Sequence, residues 1–135
     1  MPRNMSFAMT TRQIEERSKT VTRRFGWSFL KPGDVVCAVE KAMGLRKGEK
    51  IRRLGYIRIK TVRREPLNAI SQEDVIREGF PTWKPADFIE MICRHYKCRP
   101  DVGINRIEFD YVLPDLGPVH PERVEWKGDK RRITQ

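Results

Sequence analysis

Arg17, Lys19, Arg23 and Arg24 place four cations within eight residues that also carry the hydroxyls of Ser18, Thr20 and Thr22. Val21 is the one apolar side chain in the stretch. Hydroxyls both donate and accept, and a guanidinium offers a rigid fork of donors, so the mixture suits an anionic or polar ligand. The β-branched run Thr20, Val21, Thr22 predicts an extended segment rather than a helix. In a strand, Lys19, Val21 and Arg23 share one face while Thr20, Thr22 and Arg24 share the other. Neither face is then plainly core or plainly solvent. The bland alternative is a solvated basic turn.

Aromatic and sulfur side chains add further candidates. Trp27 sits in an aromatic turn, Phe25 to Leu30, and Trp83 in the proline-bounded loop Phe80 to Pro85. Either ring can stack a base, although Trp27 reads equally well as a core plug. Cys93, His95 and Cys98 lack the two-residue gap of a zinc site, and a fourth ligand is missing unless Cys37 joins. They read as buried thiols, and no metal or cofactor is expected.

Composition limits the partners. The chain of 135 residues fits one domain, and 28 Lys and Arg against 18 Asp and Glu leave a net charge of +10. That excess favours polyanions, nucleic acid before membrane, because no basic amphipathic helix of the interfacial kind stands out. An odd count of three cysteines and an apolar-poor start, Met1 to Ser6, predict a reducing cytoplasm. No apolar run approaches the roughly 20 residues that span a bilayer.

The elements that must position these residues follow from periodicity and punctuation. Met5 to Met9 reads as a first strand, and Thr10 with Gln13 as a capping box that starts a helix through Arg17. Lys31-Pro-Gly-Asp34 is a turn, Val35 to Val39 a buried strand, and Ala42 to Lys50 a basic loop. Leu54 to Val62 alternates, with Ile57 and Ile59 inward and Arg58 and Lys60 outward. Ser71 caps a short helix that Gly79 stops near Glu78. Pro85 opens an amphipathic helix carrying Phe88, Met91, Ile92 and Tyr96. Ile107, Phe109 and Tyr111 mark a last strand. Residues 1–113 are expected to form the domain. Residues 114–135 are expected to be a poorly packed tail, with at most a short strand around Val124 to Trp126. Strand-sized runs outnumber the short helices, which predicts an α+β fold: a small barrel with helices closing its ends.

Lys19-Thr-Val-Thr-Arg23, Lys31-Pro-Gly-Asp34 a dozen residues later and the closing Arg106-Ile-Glu-Phe109 resemble the ASCH domain family of the PUA-like superfamily. The resemblance covers about Met5 to Val112. It implies a PUA-like β-barrel whose cleft lies beside the Lys-Thr segment and binds RNA or a modified nucleobase or nucleotide. On that reading Arg17, Thr20, Arg23, Arg24, Trp27, Lys31 and Trp83 are the ligand-binding candidates. The implied partners are RNA, a nucleotide or a modified nucleoside, with single-stranded DNA left open.

A second implication is catalytic. One bacterial branch of the family is an amidohydrolase that removes the acetyl group of N4-acetylcytidine with a Lys, a Thr and a Glu. By position in the motif these look like Lys19, Thr22 and Glu78. A Thr hydroxyl needs a base, and Lys can serve where neighbouring cations, here Arg17, Arg23 and Arg24, lower its pKa. Another branch has been described as ribonucleases. The present chain is longer than the amidohydrolase by the 42–50 loop, the 80–85 loop and the tail.

Overall fold

In a computed structural model the described residues are 2–113, and the expected tail and its strand lie outside them. The described part is α+β: a five-stranded mixed sheet with short helices packed against it. The strands are β1 (Asn4–Ser6), β2 (Val21–Arg24), β3 (Val35–Val39), β4 (Arg53–Pro66) and β5 (Gly103–Val112). Their spatial order is β1-β3-β4-β5-β2, with β1 parallel to β3 and every other pairing antiparallel. The helices are α1 (Thr11–Glu15), α2 (Gln72–Arg77) and α3 (Pro85–Tyr96).

Local chemistry accounts for most of these bounds. The Lys31 to Asp34 turn forms as its residue types demand, with the Lys31 N–H donating to the Asp34 carboxylate at 2.9 Å. The Ser71 hydroxyl accepts from the Asp74 N–H at the start of α2, and Pro85 occupies the first turn of α3. Gly79 ends α2 at φ +105, a backbone state that costs glycine little.

Three expectations are corrected. First, the sheet is not closed into a barrel: β1 and β2 are its edges, and no main-chain pairing joins them among the described residues. β1 is only three residues long before the chain coils into a 3-10 turn at Ala8–Thr10, which leaves few main-chain groups at the seam. A side chain spans it instead, as Arg24 Nη2 donates to the Ser6 carbonyl at 2.6 Å. Second, Thr10 is the N-cap of α1 as expected but its side chain makes no capping hydrogen bond, and the helix ends at Glu15 rather than Arg17. Gln13 reaches out of its helix, where its Nε2 donates to the Gly79 carbonyl at 3.1 Å. Third, β4 runs well beyond Val62, since it keeps pairing with β5 as far as Pro66, and an irregularity between Ile59 and Thr61 breaks the alternation of its first half.

The core has two parts. Met5, Phe7, Ile14, Val36, Ile57, Ile59, Ile107 and Phe109 fill the hollow of the sheet. Leu67, Ile70, Val75, Phe88, Ile92 and Ile104 join α2 and α3 to one end of it. The candidate site lies where these two parts meet. No helix among the described residues is long and apolar enough to cross a membrane.

Candidate functional site

Two tethers bring the end of α2 against the segment leading into β2. The Thr20 N–H donates to the Arg77 carbonyl at 2.8 Å, and Gln13 holds Gly79. These contacts deliver Glu78 to the basic motif. Lys19 Nζ donates to Glu78 Oε1 at 2.7 Å and to the Glu78 main-chain carbonyl at 2.8 Å. Lys19 is thus both the partner of the carboxylate and a cap for the carbonyl end of α2.

Arg23 extends the network. Its Nη1 donates to Glu78 Oε2 at 3.1 Å, and its Nη2 donates to Glu65 at 2.6 Å and Asp74 at 2.7 Å. Arg106 grips Asp74 from β5 with Nε at 2.6 Å and Nη2 at 3.0 Å. Lys19, Arg23 and Arg106 therefore face Glu65, Asp74 and Glu78, equal numbers of each sign, almost wholly out of water. Arg23 Nε is the buried side-chain donor left without an acceptor among the described residues.

Burial and pairing set the charge states. Burial pulls the Lys19 pKa below its ordinary value, and the nearby Arg24 and Arg23 add to that, while Glu78 opposes it. Burial resists ionisation of Asp74, but hydrogen bonds from Arg106 and Arg23 outweigh it and hold the carboxyl well below its usual range. Arg23 is likewise penalised by burial yet raised overall by Glu78, Asp74 and Glu65.

A cavity of about 220 Å3 opens on this network. Lys19, Thr22, Arg23, Arg24 and Glu78 line its polar side, and Phe80, Phe88, Met91 and Ile92 its apolar side. Arg24 Nε donates to the Thr22 hydroxyl at 3.2 Å, and its guanidinium lies 4.6 Å over the Phe7 ring. Burial lowers its pKa too, and no carboxylate lies within ion-pair distance of it among the described residues.

The structure gathers Lys19, Thr22, Arg23, Arg24 and Glu78 at one cavity, which His95 also borders, and leaves the other ligand-binding candidates outside it. Arg17 takes a left-handed backbone (φ 62) at the end of α1, with its guanidinium 5.9 Å from the Tyr111 ring. Thr20 serves β-pairing, and Lys31 is exposed at its turn. Trp27 packs partly on the core and borders an adjoining depression. Trp83 stacks on Phe80 at 4.2 Å and borders a shallow outer hollow. Cys93 and Cys98 lie near the end of α3, and Cys37 is buried in β3. Asp74, Glu65 and the α3 face were not anticipated as site elements. The periodicity of α3 signalled one apolar face without saying that part of it walls a cavity.

No family model and no curated protein matches the chain in sequence. Solved structures do match. Protein EF3133 from Enterococcus faecalis V583, of family DUF984, superposes with a TM-score of 0.59 at 18% identity, over 83% of this chain and 77% of its own. The hypothetical protein PH0355 gives 0.58 at 13% identity, over 83% of this chain and 100% of its own. An ASCH domain from Lactobacillus crispatus JV V101 gives 0.53 at 14% identity, over 80% of this chain and 77% of its own. The motif resemblance and the superposition thus agree on one point: this chain has the fold of an ASCH domain.

Proposed function

We propose that the cavity beside Lys19 to Arg24 binds a single nucleobase or nucleoside, presented by RNA or as a modified nucleotide. The observation that carries this reading is the cavity itself. It is smaller than the roughly 300 to 1,000 Å3 of pockets for drug-sized ligands, has aromatic walls, and is bordered by a hydroxyl and a guanidinium that has no carboxylate partner among the described residues. Aromatic walls favour a flat ring, and the Thr22 and Arg24 donors suit the carbonyl edge of a base. The resemblance to RNA-binding ASCH proteins supports the same class of ligand. Titrating the protein calorimetrically with free ribonucleosides tests it, with Thr22→Val as the control that keeps the side-chain shape and removes the hydroxyl. A nucleoside should bind the parent and bind the variant about tenfold more weakly, the loss of one hydrogen bond to a desolvated partner. Heat signals absent for every ribonucleoside would end this reading.

The burial-lowered pKa of Lys19 in the cavity that holds Thr22 supports a second reading, hydrolysis of an N4-acylated cytidine. Thr22 Oγ would attack the acyl carbonyl while Lys19, deprotonated, takes the hydroxyl proton. The acyl–nitrogen bond then breaks and the amine leaves with that proton; water then attacks the Thr22 acyl ester, giving its proton to Lys19, and the carboxylic acid departs as the Thr22 hydroxyl is restored. Glu78 accepts on both oxygens from Lys19 and Arg23, so its part is to hold Lys19 rather than to donate. Lys19 and Thr22 share no hydrogen bond, which is why binding comes first here. Chromatography after incubation with N4-acetylcytidine decides: cytidine from the parent and none from Thr22→Ala or Lys19→Arg supports hydrolysis. Turnover that persists in Thr22→Ala removes Thr22 as nucleophile.

A further inference from the structure

The cavity has a neighbour that its own chemistry does not explain. Arg24 and Tyr96 line both the cavity and an adjoining depression of about 330 Å3, whose remaining border is Arg3, Phe25, Gly26, Trp27 and Phe29. The depression thus joins two arginines with four aromatic rings and no carboxylate. Phe29, Tyr96 and Phe25 are 55%, 46% and 37% exposed and border the same depression, which makes a contiguous aromatic patch on the surface.

The rings are held in place rather than left loose. Buried Asn105 on β5 donates from Nδ2 to the Gly26 carbonyl at 2.7 Å, fixing the turn from behind. Trp27 sits at φ 69, an unfavourable backbone for a bulky residue, and its ring lies 5.6 Å from that of Phe29. The Arg3 guanidinium lies 4.9 Å over the Phe29 ring, and Phe25 meets Tyr96 edge-on at 5.0 Å. Strain kept in a side-chain platform beside a cavity points to a ligand that the platform serves.

Arg24 supplies the link. Two of its nitrogens are engaged by Thr22 and Ser6, and Nη1 has no partner among the described residues. Arg24 lines both hollows, so a phosphodiester joining two nucleotides would pass beside its guanidinium. We infer that the depression is a second nucleotide subsite, so that the natural ligand is single-stranded nucleic acid of at least two nucleotides, with one base in the cavity and its neighbour stacked on the Trp27–Phe29 platform. Arg24 and Arg3 take the intervening and flanking phosphates. This inference rests on the cavity holding the first base. It adds a requirement for chain connectivity that a free nucleoside does not meet.

The test compares a short fluorescein-labelled single-stranded RNA of mixed sequence, its DNA counterpart and free ribonucleosides on the full chain. Phe29→Ala and Arg3→Ala change exposed side chains, and thermal melting checks that both variants fold. Phe29→Ala should weaken RNA binding about 5- to 150-fold, the range for one stacked ring, and leave nucleoside binding unchanged. Arg3→Ala should reduce the salt slope of RNA binding by about 0.7. DNA bound as well as RNA supports the subsite without a reading of the 2′-hydroxyl, and RNA bound more tightly supports it with one. Folded variants that bind RNA like the parent overturn the subsite, even where nucleosides still bind the cavity. RNA binding that falls in Phe29→Ala but ignores Thr22→Val keeps the platform and instead overturns the cavity as the seat of the first base.

Discussion

The Lys19 ammonium bonds Glu78 twice, at the carboxylate and at the main-chain carbonyl, although the two residues are 59 positions apart. One side chain thus neutralises a buried acid and finishes a helix. Removing either partner strands the other in a dry setting.

Glu78→Gln is accordingly predicted to cost about 3 to 5 kcal/mol, the usual result of breaking a buried ion pair from one side. Urea unfolding followed by circular dichroism measures it. A loss below about 1 kcal/mol would show that water reaches the pair.

Asp74 fixes the acid limb of stability. Its folded pKa lies below its unfolded value, so its contribution is complete above the ordinary carboxylate value of 3.8 and is lost as pH falls below it. Urea midpoints should stay level from neutrality to about pH 5 and then drop. Asp74→Asn should be less stable at neutral pH and show a shallower acid decline. Equal acid slopes in the two proteins would assign that limb to other carboxyls.

Gly79→Ala tests the tether between α1 and α2. An added Cβ would lie 2.7 Å from Gln13 Cγ, at φ +105 where side chains are strained. The expected cost is about 2 kcal/mol or more from backbone strain and displaced Gln13. Nucleoside affinity should fall as well, since Glu78 is the preceding residue. Unchanged melting would mean that the turn re-forms without the tether.

Arg24→Lys keeps a cation but not the fork that reaches both Thr22 and Ser6. Hydrogen exchange at the β1 amides should accelerate about tenfold with the loss of one charge-assisted bond at the seam. Exchange matching the parent would show that β1 is held by β3 alone.

Local signals were legible wherever neighbours in sequence decide the outcome. Val35–Val39, the Lys31 turn, the Ser71 cap and Pro85 all stand where residue type and spacing put them. The Lys19 to Arg24 motif was read as a candidate site, and Lys19, Thr22, Arg23 and Arg24 line one cavity. Asp74 and Glu65 did not announce themselves, since their partner Arg23 is 51 and 42 positions away and pairs at such range leave no periodicity. The sheet edges were misjudged for a related reason. Counting strands does not reveal that one is three residues long and that a side chain bridges its seam.

The equal signs in the Lys19 to Arg106 network leave the whole excess of ten positive charges to be carried elsewhere in the chain. If the cavity binds an anionic ligand as proposed, its long-range attraction and its retention would fall largely to different residues. Exposed cations such as Arg58 would then set how fast such a ligand arrives and how strongly salt slows it. Thr22, Arg24 and the aromatic walls would set how long it stays. Arrival rate and residence time can then drift apart under mutation, with surface charge changing freely while the lifetime of the complex holds constant.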